Sequence, residues 1–353
     1  MRFMSVTGML VGAAALLAFA TPLSGARAAD SPKLVYFIFT GYAYPYFAPM
    51  AAAVKQAAAH YPDMKIRIVN ADNSPSQEIT DIKEAQAAGA KGIILNVVQE
   101  SVTEAAQQAL QSGIPLITLD RDVSQLSARD AFIGDNDETM GQEEAQNAID
   151  TLRHNGVAKP WHVVVLQGTL GASPSIGRLK GTMDVLAPLV KDGSVKIILN
   201  QSADFATEIA QTTMSAELAR TTNIQLVINA NDAMALGVIN AIKTHGLTPG
   251  KQILVAGADA QPESLDAVRS GEQLNTVTHS PFVESYWGVE AMDNLLASAT
   301  KPPVDKFPSG EVTIPMTLVT QQNVGEISAW GTPATIPPLP YGVSQSYSSA
   351  LSK

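Results

Sequence analysis

The chain has 353 residues, 33 acidic and 23 basic side chains, no cysteine and a formal charge of −10. The acidic balance argues against nucleic acid and anionic membranes as partners. Without cysteine there is no disulfide framework, no thiolate metal site and no cysteine nucleophile.

In chain order, Met1-Arg2 precedes an apolar run from Gly8 to Ala20 and then Ala26-Arg27-Ala28. A basic start, a short apolar centre and an A-x-A end describe a secretory signal peptide over 1–28, cleaved after Ala28. The apolar run is 13 residues long, short of the ~20 that a spanning helix needs. Its removal takes away Arg2 and Arg27 and no acid, so the charge moves to −12. The mature chain is expected to be soluble and periplasmic, and its length of about 325 residues is ample for two domains.

Short apolar runs then alternate with longer amphipathic stretches. Strands are predicted at Leu34–Phe39, Lys65–Val69, Gly92–Leu95 and Leu116–Leu119, and again at His162–Leu166, Lys196–Leu199, Leu226–Ile228 and Ile253–Ala256. Helical patterns lie between them at Pro49–His60, Gln77–Ala88, Val102–Gln111, Asp137–Leu152 and Ala233–Lys243. Strands apolar on both faces with helical crossovers imply an α/β fold with parallel, doubly wound sheets. Two such sets, parted by a turn-rich passage near Gly134–Asp137, imply two similar Rossmann-like lobes.

What ends each strand is informative. Thr40, Asn96, Asp120-Arg121, Gln167, Asn229 to Asp232 and Asp259 each follow an apolar run. Carboxyl ends of parallel strands face the ligand crevice, so two facing lobes would line a cleft with donors and acceptors. Asp120-Arg121 places an acceptor beside a planar five-donor fork, which suits adjacent hydroxyl groups. Tyr42, Tyr44, Tyr46 and Phe47 crowd around Pro45 after the first strand. Such rings stack on the C–H faces of a sugar or polyol, and Tyr46 and Phe47 are the better placed.

These features resemble the type I periplasmic binding proteins of sugar ABC importers, the ribose-binding branch above all, from about Lys33 to Leu318. Thr40 to Phe47 is similar to the family's first loop, with a Pro followed by two ring-stacking aromatics. Ile114 to Arg121 is similar to the strand carrying its Asp-Arg pair. Phe132 to Asn136 resembles the first hinge crossover, Leu166-Gln167-Gly168 with Gly171 the opening of the second lobe, and Ala203-Asp204-Phe205 the motif whose aromatic closes over the sugar. Asn229 to Gly237 and Gly257-Ala258-Asp259 resemble two further strand ends, whose Asn231 and Asp259 would bind hydroxyls.

Two positions depart from the pattern. Ile176 stands where ribose binders carry an Arg, and Arg178, two residues on, projects about 200° away if the segment is helical, so it does not simply substitute. His279 stands where they use a Gln. The pocket then keeps Asp120, Arg121 and Asp259, for a sum of −1 with His279 neutral. It should accept neutral ligands, reject acidic sugars and prefer a polyol, deoxy sugar or small aldose to ribose.

The resemblance implies two lobes, 29–134 with 280–310 and 135–279 with 311–320, joined by three crossovers near Gly134–Asp135, His279–Ser280 and Gly310–Glu311. The lobes would close over the ligand like a hinge. The closed form would deliver a neutral monosaccharide or polyol to a membrane permease or to a chemoreceptor, acting as a monomer without cofactor or metal. Residues 321–353, rich in Pro, Ser and Gln, form an extension that could wrap a lobe or the hinge, with Ser344 to Lys353 frayed.

Other classes fit less well. There is no G-x-G-x-x-G after a strand and no P-loop. Gly171-Ala172-Ser173-Pro174-Ser175 lacks the final glycine of a nucleophile elbow, and the five histidines show no metal-ligand spacing. Asp120 with Asp259 could mimic a glycosidase pair, but the resemblance puts them in opposite lobes. A sugar-responsive repressor would carry a DNA-binding module where the signal peptide stands. A receptor for a small signalling molecule of the autoinducer-2 class keeps the same fold and is the principal alternative.

Overall fold

The structure, a computed structural model, describes residues 32–297 and 310–340 together with Met1 and Met4. Apart from those two methionines, the expected signal peptide lies outside the described residues, as does the end expected to fray at 344–353.

The first lobe is built from β1 (Lys33–Phe39), α1 (Phe47–Ala58), β2 (Met64–Asn70), α2 (Pro75–Ala87), β3 (Gly92–Leu95), α3 (Thr103–Gln111), β4 (Leu116–Leu119) and β5 (Ala131–Gly134). Every strand of β1 to β5 pairs in parallel, with β1 between β2 and β3, then β4 and β5. β1 reads as a continuous apolar run because both its faces are covered. Val35, Phe37 and Phe39 join one core cluster with Met50 and Val54 of α1, while Tyr36 and Ile38 join another with Ile82 of α2 and Ala106 of α3. That is the period-two alternation of a strand, with apolar groups in both registers.

The second lobe contains α4 (Asp137–His154), β6 (Trp161–Gln167), α5 (Ser173–Lys191), β7 (Val195–Ser202), α6 (Thr207–Arg220), β8 (Leu226–Asn229), α7 (Asp232–Thr244), β9 (Leu254–Ala256), α8 (Pro262–Ser270) and β10 (Thr276–Val277). Its parallel sheet runs β7-β6-β8-β9. Helices α4 and α5 approach so closely that a Cβ on Gly181 would lie 2.0 Å from Glu138 O. Glycine at that position lets α5 pack with this face against α4.

The chain then returns as α9 (Pro281–Ala297), whose Trp287 and Met292 join the first-lobe core. It ends in β11 (Glu311–Thr313), β12 (Leu318–Val319) and the stretch to Pro340. The sequence reading gave 311–320 to the second lobe. Instead β11 pairs with β5 at the edge of the first sheet, and only β12 joins the second lobe, antiparallel to β10. The third crossing therefore falls at 314–317, because the backbone of β11 completes the open edge of β5. Ile314 N donates to Gly134 O and Thr278 N to Thr317 O, so the three crossings are laced together.

Candidate functional site

The carboxyl ends of both sheets open on a narrow cleft lined by Tyr44, Tyr46, Phe47, Asp120, Arg121, Pro174, Arg178, Phe205, Asn231, Asp259 and His279. Among these residues are nine of the eleven singled out from sequence. The lobes also touch at the lip, where Glu100 N donates to Gly171 O (3.0 Å) and Asp122 N to Ser173 Oγ (2.8 Å).

Strand ends position the acids. Asp120 sits at φ +58° and Asp259 at φ +109°, and Asp204 and Phe205 are also left-handed. Such conformations cost a non-glycine residue of order 1–3 kcal/mol each and cluster at functional sites. Here a network over-determines them. Asp120 Oδ2 accepts from Asn96 Nδ2 (2.8 Å), and Asn96 Oδ1 in turn accepts from the Thr40 hydroxyl (2.7 Å). Thr40 is thus a buried support two steps behind Asp120, not a cleft residue as the sequence suggested. Asp259 is fixed by a bridge to Thr278 and accepts from Arg178 Nη1 (2.8 Å).

The aromatics come from both lobes. Phe47 and Tyr44 of the first and Phe205 of the second surround the Arg121 guanidinium at 5.2, 5.9 and 5.4 Å. Phe205 requires Gly168, since a Cβ there would lie 2.0 Å from its ring. Asn231 caps α7 by accepting from Met234 N through Oδ1 (3.0 Å), which leaves its NH₂ as the group available for donation.

Ile176 is 52% exposed and faces away from the cleft. Arg178 faces in. Both expectations about this helix, that Ile176 lines the site and Arg178 does not, are reversed. The two side chains do point in opposite directions, but the glycine contact between α4 and α5 turns the Arg178 face inward. The signal was present as Gly177 and Gly181 flanking Arg178, small residues that mark a packed helix face. Arg178 Nε donates to Asp137 (2.9 Å), Nη1 to Ala230 O (2.7 Å) and Asp259, and Nη2 lies 3.1 Å from His279 Nδ1. Burial works against this guanidinium, but Asp259 and Asp137 outweigh it and raise its pKa further.

The pocket sum of −1 is also corrected. Asp120 and Asp259 are balanced by Arg121 and Arg178, and His279 adds a titratable group. Its Nε2 lies 3.1 Å from Glu284, 3.3 Å from Asp120 and 3.6 Å from Asp135, while Nδ1 lies 3.1 Å from Asp259. Burial opposes the imidazolium, but Glu284 and Asp135 more than compensate and hold its pKa well above the usual value. Burial pushes the Glu284 carboxyl up to about 8 and that of Asp135 to about 7. Burial would raise Asp120 too, but the His279 hydrogen bond and charge keep it below the ordinary carboxylate range. Tyr46 stacks on the His279 ring (4.4 Å) and donates its hydroxyl to Glu284 Oε2 (2.8 Å). Asp120, His279 and Glu284 bring ligand atoms within 4.8 Å of one another, as a metal would need, but these atoms already serve one another as hydrogen-bond partners. The roles of Glu284, Asp135 and Asp137 are not legible in the sequence, because nothing in a helix start or a crossover marks which residues turn toward His279 or Arg178.

Two lobes with parallel sheets, laced crossings and a polar, aromatic-walled cleft define a bilobal solute-binding protein. The model described as "Periplasmic binding protein domain" matches residues 35–300, and the chain belongs to that family. It is 27% identical to the ribose import binding protein of Salmonella typhimurium over 84% of this chain and 95% of the relative. It is 31% identical to the galactofuranose-binding protein YtfQ of Escherichia coli over 65% of this chain and 71% of the relative. Among solved structures, a galactofuranose-binding protein superposes with a TM-score of 0.75 at 27% identity, covering 84% of this chain and 97% of that one. A Caulobacter myo-inositol-binding protein gives 0.74 at 25%, covering 84% and 96%. The role is substrate binding in the manner of sugar ABC-transporter binding proteins, a family of periplasmic binding proteins rather than enzymes.

Proposed function

We propose that this chain captures one neutral monosaccharide or polyol ring between its lobes and presents it to an inner-membrane permease. The observation that carries this reading is the pairing of Phe47 and Phe205, one from each lobe, with acids and guanidinium groups at the strand ends. The rings take the apolar faces of a sugar while Asp120 and Asp259 accept hydroxyl protons and Arg121, Arg178 and Asn231 donate. In the dry cleft each unmatched polar group costs about 1–3 kcal/mol, so the hydroxyl pattern selects the ligand. The proposed site is Tyr44, Tyr46, Phe47, Asp120, Arg121, Arg178, Phe205, Asn231, Asp259 and His279, without Thr40 or Ile176. Asp120 and Asp259 are offset by Arg121 and Arg178, and the His279 imidazolium is faced by Asp135 and Glu284, which favours a neutral ligand. The division into lobes proposed with it is 32–134 with 281–297 and 311–313, facing 137–277 with 318–319. Residues 1–28 direct export and are removed, and the mature chain acts as a monomer.

The test is a thermal-shift screen of the mature protein, stripped of ligand, against pentoses, hexoses, deoxy sugars, sugar acids and polyols. A ligand at 100 times its Kd adds about 2.7 kcal/mol, or about 4 °C at ~1.5 °C per kcal/mol for a chain of about 325 residues. A neutral hit supports the proposal. A sugar acid as the sole hit, or a flat panel with folded protein, overturns it, and the flat panel favours a signalling-molecule receptor. The mass of the exported protein, expected to begin at Ala29, tests the processing.

A further inference from the structure

The stretch from Thr320 to Pro340 lies beyond the residues that resemble the family, yet it binds both lobes and the hinge. On the second lobe, Gln321 Nε2 donates to Arg269 O, and Val324 and Ile327 pack with Leu265 and Val268 of α8. Trp330 N then donates to Ala260 O at 2.7 Å. At the hinge, Gly331 lies so close to Thr278 that a Cβ would come within 2.3 Å of its Cβ, and the Ser280 and Thr332 hydroxyls are 3.0 Å apart. On the first lobe, Trp287 Nε1 donates to Pro337 O (2.8 Å) and Leu339 N to Glu290 Oε2 (2.9 Å).

At the midpoint stands Trp330, buried and held at φ +60°. Its ring meets the Tyr46 ring edge-on at 5.4 Å, and Tyr46 stacks on His279. The indole therefore backs the wall of the cleft without lining it.

We propose that residues 320–340 are a strap that links the lobes across the hinge, and that Trp330 is a positioning residue holding Tyr46 and His279 against the cleft. The strap is a fourth connection between the lobes, anchored at α8 on one side and α9 on the other. Opening the cleft moves Ala260 relative to Trp287 and pulls on both anchors, so the strap biases the lobes toward closure before any ligand arrives. That Trp330 tunes a ligand's affinity rests on the function proposed above. The bias on the lobes does not.

Because the chain has no cysteine, spin labels can be placed at two introduced ones. Tyr42→Cys and Ile176→Cys sit on opposite lobes and replace residues 58% and 52% exposed. Pulsed electron spin resonance of the ligand-free protein then reads the distance across the lip. Trp330→Ala is expected to move the distribution to longer distances, and Trp330→Phe, which restores an edge-on ring, to return it. An unchanged distribution in Trp330→Ala overturns the proposal, whatever the sugar screen finds. If Trp330→Ala does not fold, Glu290→Ala, which removes the acceptor for Leu339 N at the first-lobe anchor, gives the same reading: a longer distance supports the strap and an unchanged one refutes it.

Discussion

Arg178 is the side chain on which sequence and structure disagree most, and its removal is the sharpest perturbation of the site. Its guanidinium is 3% exposed and serves Asp137, Asp259 and Ala230 O at 2.7–2.9 Å. In Arg178→Met the stem still fills the space, but both carboxylates lose a buried counter-charge. Removing one partner of a buried ion pair costs about 3–5 kcal/mol. At ~1.5 °C per kcal/mol for a chain of this length, Tm should fall by about 4–8 °C. Asp259, freed from Nη1, should also lose its fixed orientation, and affinity for the ligand found by the screen should fall at least ~10-fold, or about 1.4 kcal/mol. Ile176→Ala is the control. An exposed position away from such features stays within about 0.5 kcal/mol, so Tm and affinity should hardly move. Scanning calorimetry and isothermal titration calorimetry measure the two effects. A tenfold loss of affinity in Ile176→Ala, or an unchanged Tm in Arg178→Met, would refute the assignment of the cation to Arg178.

Burial raises the carboxyls of Glu78, Asp232 and Glu284 to about 8 and that of Asp135 to about 7. The native state then keeps protons that the unfolded chain has released. Each such group should cost about 1.4 kcal/mol per pH unit between its unfolded and folded pKa. His279, also raised, acts in the same direction above its unfolded value. Tm is therefore expected to fall from pH 6 to pH 8.5, less steeply in Glu78→Gln. A Tm that rises across that range contradicts the burial of these acids. Phe205→Ala should weaken ligand binding by about tenfold or more through loss of the second-lobe platform, measured by titration calorimetry; an unchanged Kd would remove that ring from the site. Ser173→Ala deletes the lip acceptor for Asp122 N. A hydrogen bond worth about 0.5–1.5 kcal/mol predicts a two- to twelvefold weaker Kd without any contact to the ligand, and an unaltered Kd would show that the lip does not hold the lobes closed.

Much of the fold is legible in the chain because local signals agree with it. Gly92–Leu95 and Leu116–Leu119 coincide with β3 and β4, since four apolar residues between breakers have only a buried strand open to them. Asp120, Asn231 and Asp259 are legible because strand ends are where a parallel sheet presents polar groups. Helix rotation is not legible from spacing alone. That Ile176 and Arg178 oppose each other follows from helical geometry, but which one faces the cleft depends on Gly181 meeting the backbone of α4. Ring environments are less legible still. The charge on His279 is not legible because Asp120, Asp135 and Asp259 reach it from elsewhere in the chain, and nothing marks Glu284, five residues on, as turned back toward the ring. The pairing of β11 with β5 is a property of an open sheet edge, which three residues cannot announce.

The central claim is that the cleft, and no other surface, takes one neutral ring. The direct measurement is titration calorimetry of the ligand found by the screen, with the mature protein and with Asp120→Asn and Phe205→Ala in parallel. The account predicts one site per chain in the wild type, at least ~10-fold weaker binding in each variant, and folded baselines throughout. Full affinity retained in both variants would contradict it and place the binding site elsewhere on the molecule.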